Sequence, residues 1–359
     1  MMEQTIDISS FQRQNISNHS EELRPNCVLP ASPYITEPQA VKVTRLGIEI
    51  GAALVGIIGN LLVTVLAPRG RKLRSADGLY VRSLAIADLG ILTVNFSIAV
   101  IREQSPVHWP IGKEMCYFLY PFSEVFHGAC VWSIAAIALD RYRGIIHRRH
   151  QSAQSAKVSI AAIWLGSFGI FVVPLFFIVR YVETECKEVC MFEWPAPLMH
   201  HIYIGMDAML LYFVPLGLIS YTYLIITAEI RTSSMLHKRM GQQQSARKKE
   251  EIRRVKQNSR TARLLTHLVI VFTITMLPLN AFRLVVLSWD GFANHQLFLV
   301  FFNIAVLGVV INSAADPIVY SIVSKDFISN LRCQCRSFKG FGSVMRKNRA
   351  SASSRQTQL

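Results

Sequence analysis

The sequence predicts an all-α membrane protein: a seven-transmembrane helix bundle, with a short amphipathic cytoplasmic helix after the seventh span. Three observations carry that prediction. The 359 residues are 51% hydrophobic and only 17% charged, with a mean hydropathy of +0.32, too apolar for an ordinary soluble domain. The apolar residues gather into seven runs, 46–66, 79–100, 115–137, 158–179, 202–226, 264–286 and 297–322, each 21–26 residues long. At ~1.5 Å per residue, each crosses a hydrocarbon core of about 30 Å as a helix, which satisfies its own backbone where lipid cannot. Third, the bases are lopsided: 69–74, 141–157, 231–263 and 325–355 hold 28 of the 38 Lys and Arg. Those are the first, third and fifth connectors and the tail, so the positive-inside rule puts the N-terminus outside and the C-terminus in the cytoplasm.

Taken in order, residues 1–44 form a polar extracellular arm with Pro25, Pro30, Pro33 and Pro38, expected to be flexible. No cleavable signal peptide is expected, since a basic region followed by an apolar one is missing. Asn15 and Asn18 open glycosylation sequons on the exterior side, whereas Asn95-Phe-Ser97 has the same form inside a span and is discounted. Residues 45–335 are the membrane domain and 336–359 a cytoplasmic tail. Most spans carry a polar residue or a proline where an apolar one would be cheaper. These are Asn60, Asp88, Trp164, Pro215, Pro278 and the run Asp316-Pro317-Ile318-Val319-Tyr320, while the third span exits through Asp140-Arg141-Tyr142. Of the seven cysteines, Cys27, Cys116, Cys186 and Cys190 fall in exterior segments, where disulfides persist, and Cys130 is read as packing. Cys333 and Cys335 follow the amphipathic turn 327–331 and are candidates for palmitoylation.

The charge distribution argues against nucleic acid as a partner, because the bases lie in loops beside anionic lipid. No Ser/His/Asp arrangement, zinc-ligand spacing or phosphate-cradling loop points to an enzyme. A transporter or channel is the alternative of a different class, but no matching pair of broken helices is visible.

One polar or proline motif per helix, in order over residues ~45–335, resembles the rhodopsin-like (class A) G-protein-coupled receptors. The stretch "CMFEWP", 190–195, further resembles the second exterior loop of many peptide receptors. The resemblance implies a plasma-membrane receptor that binds an extracellular ligand and activates heterotrimeric G proteins, with receptor kinases and arrestin as candidate partners of the tail serines. It implies a Cys116–Cys190 disulfide; Cys27 and Cys186 are left either as a second bridge or as free thiols. It makes Asp140, Arg141 and Tyr142 the G-protein switch, with Tyr223 and Tyr320 as the tyrosines that approach it. An Asp–Arg pair suits a switch, because breaking a desolvated ion pair is costly while exchanging its partner is not. Val131, Pro215 and Phe272 then form the activation core, with Pro278, Asp316 and Pro317 at the helix kinks.

Asp88, Asn60, Asn312, Ser313 and Asp316 would form the family's sodium site, or else a hydrated polar network. Cys130 stands where an oxygen is usual. Other departures are Met276 for the tryptophan two residues before Pro278, Asn258 where some members place a latching Glu, and Arg148 for a proline. The ligand pocket is assigned to Ser123, Glu124, His127, Asp207, Met276, Asn280 and Arg283. Ser123 replaces the Asp of amine receptors, and the span 297–322 has no Lys for retinal. Acids in and above the pocket favour a peptide with a basic or amidated end; the alternative within the family is an atypical small cation, and Asp207 could instead pair with Arg283.

Overall fold

A computed structural model of the chain describes residues 34–66, 76–183, 188–239 and 246–323, apart from 36, 107, 150, 290, 293 and 294; side chains at 66, 77, 233–265 and 320–323 are also outside it. The glycosylation sequons, Cys27, Cys186, the amphipathic turn, Cys333, Cys335, the tail serines and the side chains of Tyr320 and Asn258 therefore lie outside the described residues.

Seven long helices run through the described residues: α1 Gln39–Leu66, α2 over 76–104, α3 over 115–146, α4 over 153–178, α5 over 197–239, α6 Ala246–Ser288 and α7 Phe298–Val323. Each of the seven is long and apolar enough to cross a membrane. Most overrun the apolar stretches that announced them. Hydropathy marks only the length in contact with lipid, whereas a helix continues into the polar layer wherever its i→i−4 bonds can form. The first helix thus starts at Gln39, inside the segment read as an arm. That segment is docked from Tyr34 onward. The buried Tyr34 ring lies 5.7 Å from Phe298, and the Ile35 N–H donates to the Gln296 carbonyl at 2.9 Å.

Local causes shape the elements. The Ser152 hydroxyl caps α4, accepting from the Ser155 N–H at 3.1 Å. Four helices contain one π-helical turn, at Ile91–Asn95, Met115–Leu119, Phe168–Val172 and Met209–Phe213; such turns rotate the faces of the two flanking halves against each other. Between α4 and α5 the chain forms an antiparallel hairpin, β1 Val179–Glu183 with β2 Glu188–Phe192, pairing Tyr181 with Cys190. Its strands are only five residues each, too short to stand out beside the long apolar runs.

The central helix is α3. Of its most apolar window 67% is buried, against 22% in α4. The core it anchors runs from Leu84 and Ala129 through Val131 and Ile134 to Phe272 and Phe302. Outward-facing Leu165, Phe177 and Ile58 are exposed apolar residues of the kind lipid covers. Side-chain hydrogen bonds cross the helices where polar groups are buried. The Trp164 indole N–H donates to the Ser83 hydroxyl at 3.0 Å, and Ser83 lies 3.2 Å from the Ser133 hydroxyl, linking α4, α2 and α3. Helices α6 and α7 approach closely at Gly308, where a Cβ would land on the Thr275 carbonyl.

Candidate functional site

Cys116 at the head of α3 is bonded to Cys190 in β2, pinning the hairpin over one end of the bundle. At that disulfide end a cleft opens between α2, α3, α6 and α7. Ser123, Glu124, His127 and Arg283 line it. A smaller hollow beside it is walled by Trp194, Tyr203, Asp207 and Phe282, and shares Arg283 with the first. The Arg283 Nη2 meets the Asp207 Oδ2 at 2.5 Å, both side chains being buried. This ion pair joins α5 to α6 and separates the two spaces. Asp207 is thus held by a base of the protein.

Glu124 is not. It is 5% exposed, and its Oε2 has no hydrogen-bond partner among the described residues. The nearest base is His127, whose Nδ1 lies 3.7 Å away. That nitrogen is also 3.0 Å from the Asn95 amide nitrogen, which donates as well to the Ser123 carbonyl. When the imidazole accepts from Asn95 at Nδ1, its proton sits on Nε2 and the ring is neutral. Asn95 Oδ1, His127 Nε2, Arg102 Nε, Asp207 Oδ1 and Arg283 Nε are likewise buried without a partner. Buried polar atoms are satisfied almost everywhere in proteins. A group of such atoms around the cleft and the adjoining hollow marks a place where a polar ligand completes the hydrogen bonding.

The sequence missed part of this site. Asn95, discounted as a sequon within a span, lines the cleft. Arg102 also lines it, lying 4.8 Å from the Tyr120 ring centroid and 5.4 Å from that of Trp109, and donating to the Cys190 carbonyl at 2.9 Å. Three expected members do not line it: Asp207 stands in the neighbouring hollow, and the other two are on α6. Met276 is buried in the helix core below, and Asn280 turns its amide to the Met276 carbonyl while accepting from Arg283 at 3.4 Å. They share the α6 face that carries Arg283, but Met276 is packed in the core and the Asn280 amide is already bonded. Ser123 lines the cleft with its hydroxyl already spent on the Tyr120 carbonyl.

Halfway along the bundle, Asp88, Cys130 and Asp316 bring one ligand atom each within 4.8 Å of one another. Cys130 is therefore more than packing: its thiol donates to Asp88 Oδ1 at 3.4 Å. The amides expected beside them point elsewhere. Asn60 Nδ2 donates to the Ser313 carbonyl, and Asn312 Oδ1 accepts from Thr275 on α6. The Ser313 hydroxyl stands beside Asp88, so oxygens and one thiol share this cluster.

At the far end, Asp140 is buried and Arg141 half-buried beside it on α3. Tyr142 meets His147 edge-on at 5.4 Å and leans toward Tyr221. Tyr223 packs against the core that contains Val131 and Phe272, and Pro215 is buried. Just beyond α3, Arg148 has φ 53° and the Arg149 N–H returns to the Arg143 carbonyl. A proline, locked near about −65°, could not take that conformation, so replacing the usual proline changes how α3 ends.

Disulfide-pinned hairpin, cleft and Asp-Arg-Tyr exit thus occupy one seven-helix bundle. A model of the 7 transmembrane receptor (rhodopsin family) matches residues 59–320. The chain belongs to the rhodopsin family. Among the receptors similar to it, somatostatin receptor type 4 of Rattus norvegicus is 27% identical over 285 residues, covering 76% of this chain and 68% of that protein. Galanin receptor type 1 of Rattus norvegicus is 26% identical over 308 residues, 82% of this chain and 84% of that one. Neuropeptide Y receptor type 6 of Oryctolagus cuniculus is 26% identical over 297 residues, 77% and 76% of the two chains. This receptor is therefore a multi-pass membrane protein of the peptide-receptor-like kind.

Proposed function

We propose that the receptor sits in the plasma membrane with its N-terminus outside, binds a peptide bearing a basic or amidated end in the cleft, and activates heterotrimeric G proteins. The observation that carries the ligand reading is the Glu124 carboxylate in the wall of the cleft, whose Oε2 has no hydrogen-bond partner among the described residues. An ammonium, guanidinium or terminal amide supplies the donor it lacks, and a desolvated carboxylate holds a cation far more firmly than an exposed one does. Asp207 contributes less, because Arg283 already neutralises it. The somatostatin, galanin and neuropeptide Y receptors among its relatives support a peptide over a small amine. The disulfide at the cleft end supports placing that end outside, and the base-rich connectors at the other end agree.

For G-protein activation the support is the Asp140–Arg141 pair at the end opposite the cleft. Opening that end would unmask the Arg141 guanidinium to a partner's helix. The test is a library screen of peptides and small amines on cells carrying a promiscuous G protein. Basic or amidated peptides are expected to signal, and Arg141→Ala is expected to abolish the signal while leaving ligand binding in place. Small amines signalling while all such peptides fail would overturn the ligand reading. Substrate transport by the Arg141→Ala protein would overturn the receptor mechanism.

A further inference from the structure

The Asp88 cluster has a donor set at odds with sodium. Two carboxylates and a thiol converge from α2, α7 and α3. Asp88 is fully buried and Asp316 is 1% exposed. Each has an oxygen, Oδ2 in both cases, with no hydrogen-bond partner, and neither pairs with a base among the described residues. The site thus gathers two acids, with the Cys130 thiol and the Ser313 hydroxyl as neighbouring donors and no base among the described residues. A single monovalent ion compensates it poorly, and a hard cation gains little from sulfur.

We propose that Asp88, Cys130 and Asp316 form a site for a borderline-soft divalent cation of the zinc class. The geometry supports this. Zinc bonds of ~2.0 Å to oxygen and ~2.3 Å to sulfur, at a tetrahedral angle, hold sulfur and oxygen about 3.5 Å apart. The Cys130 Sγ and Asp88 Oδ1 are 3.4 Å apart. The third ligand atom lies within 4.8 Å of both, so a small carboxylate rotation closes the triangle. On binding, the thiol releases its proton to solvent and the thiolate takes the metal, as thiol ligands do. Three protein ligands leave one tetrahedral position for water. A bound ion ties α2, α3 and α7 together midway between the cleft and Arg141. The donor set stands on its own geometry and does not depend on the ligand of the cleft.

The test uses the full chain purified in detergent and stripped with a chelator. Cobalt(II) serves as the optical probe for zinc. One equivalent is expected to produce a thiolate-to-metal charge-transfer band that Zn²⁺ abolishes by displacement. Zn²⁺ is expected to raise the midpoint of thermal unfolding, and NaCl at equal ionic strength to leave it in place. Both the band and the zinc shift should vanish in Cys130→Ser and in Asp88→Asn. Cys130→Ser supplies the missing hydroxyl oxygen, so sodium should stabilise that variant more than the parent; Cys130→Ala, which gives no ligand, controls for loss of packing. The proposal is overturned if the band survives in Cys130→Ser, which places the metal on other thiols. It is also overturned if no band forms, or if sodium stabilises the parent chain and zinc does not.

Discussion

At the disulfide end of the bundle, acids occur with bases. Arg45 on α1 receives Glu37 at 3.0 Å, Glu49 at 3.0 Å and Glu103 of α2 at 2.5 Å, and Arg283 on α6 receives Asp207 of α5. Around Asp88, an acid faces another acid and a thiol, with no base among the described residues. Both regions are buried, so the difference lies in how charge is compensated. Paired charges hold helices at fixed separations without outside help, and Glu124 stands out among them because it lacks such a base. Unpaired like charges need a proton or a cation from elsewhere. Helix position at the first region is set by the chain itself, whereas at the second it depends on what the medium provides.

Breaking the pairing should have the largest effect. Arg283→Ala leaves Asp207 as a buried uncompensated charge, and should cost about 3–5 kcal/mol, seen as a lower midpoint of thermal unfolding. Adding Asp207→Asn to Arg283→Gln removes both charges and should restore most of that loss. Equal instability in the double variant would mean that packing, not charge, joins α5 to α6. A substitution between the two regions comes next. Gly308→Ala puts a Cβ against the Thr275 carbonyl, and the resulting displacement of α6 from α7 should cost about 1–3 kcal/mol. The smallest effect lies outside both. Arg148→Gly removes a left-handed side-chain clash at φ 53° and should gain about 1 kcal/mol, measured by the same unfolding, with the charged clusters untouched.

How much of this was legible follows from what each signal depends on. The seven spans were readable because lipid imposes a uniform apolar requirement over each, and only the ends, set by local hydrogen bonding, drifted. Glu124, His127 and Arg283 were readable as ionisable groups at span depth. Asn95 and Arg102 were not: one looked like a chance sequon, and the other lies near the end of α2, where a charge costs little. The Arg45 cluster was hidden because Glu37, Glu49 and Glu103 are spread along the sequence and meet only when α1 and α2 pack. Met276 and Asn280 show the opposite failure, since sharing the α6 face of Arg283 does not free a side chain from core packing or from bonds within its own helix. The four π-helical turns, one of which carries Asn95, leave no pattern in composition.

The most direct measurement is a double-mutant cycle between Glu124 and the ligand. A signalling peptide found in the screen is compared with its neutral isostere on the parent receptor and on Glu124→Gln. Glu124→Gln is expected to weaken the basic peptide by roughly 10- to 100-fold, as the loss of one charge-assisted hydrogen bond does, and to leave the isostere nearly unchanged. Equal losses for both ligands, or none for either, would contradict a cleft built around the Glu124 carboxylate.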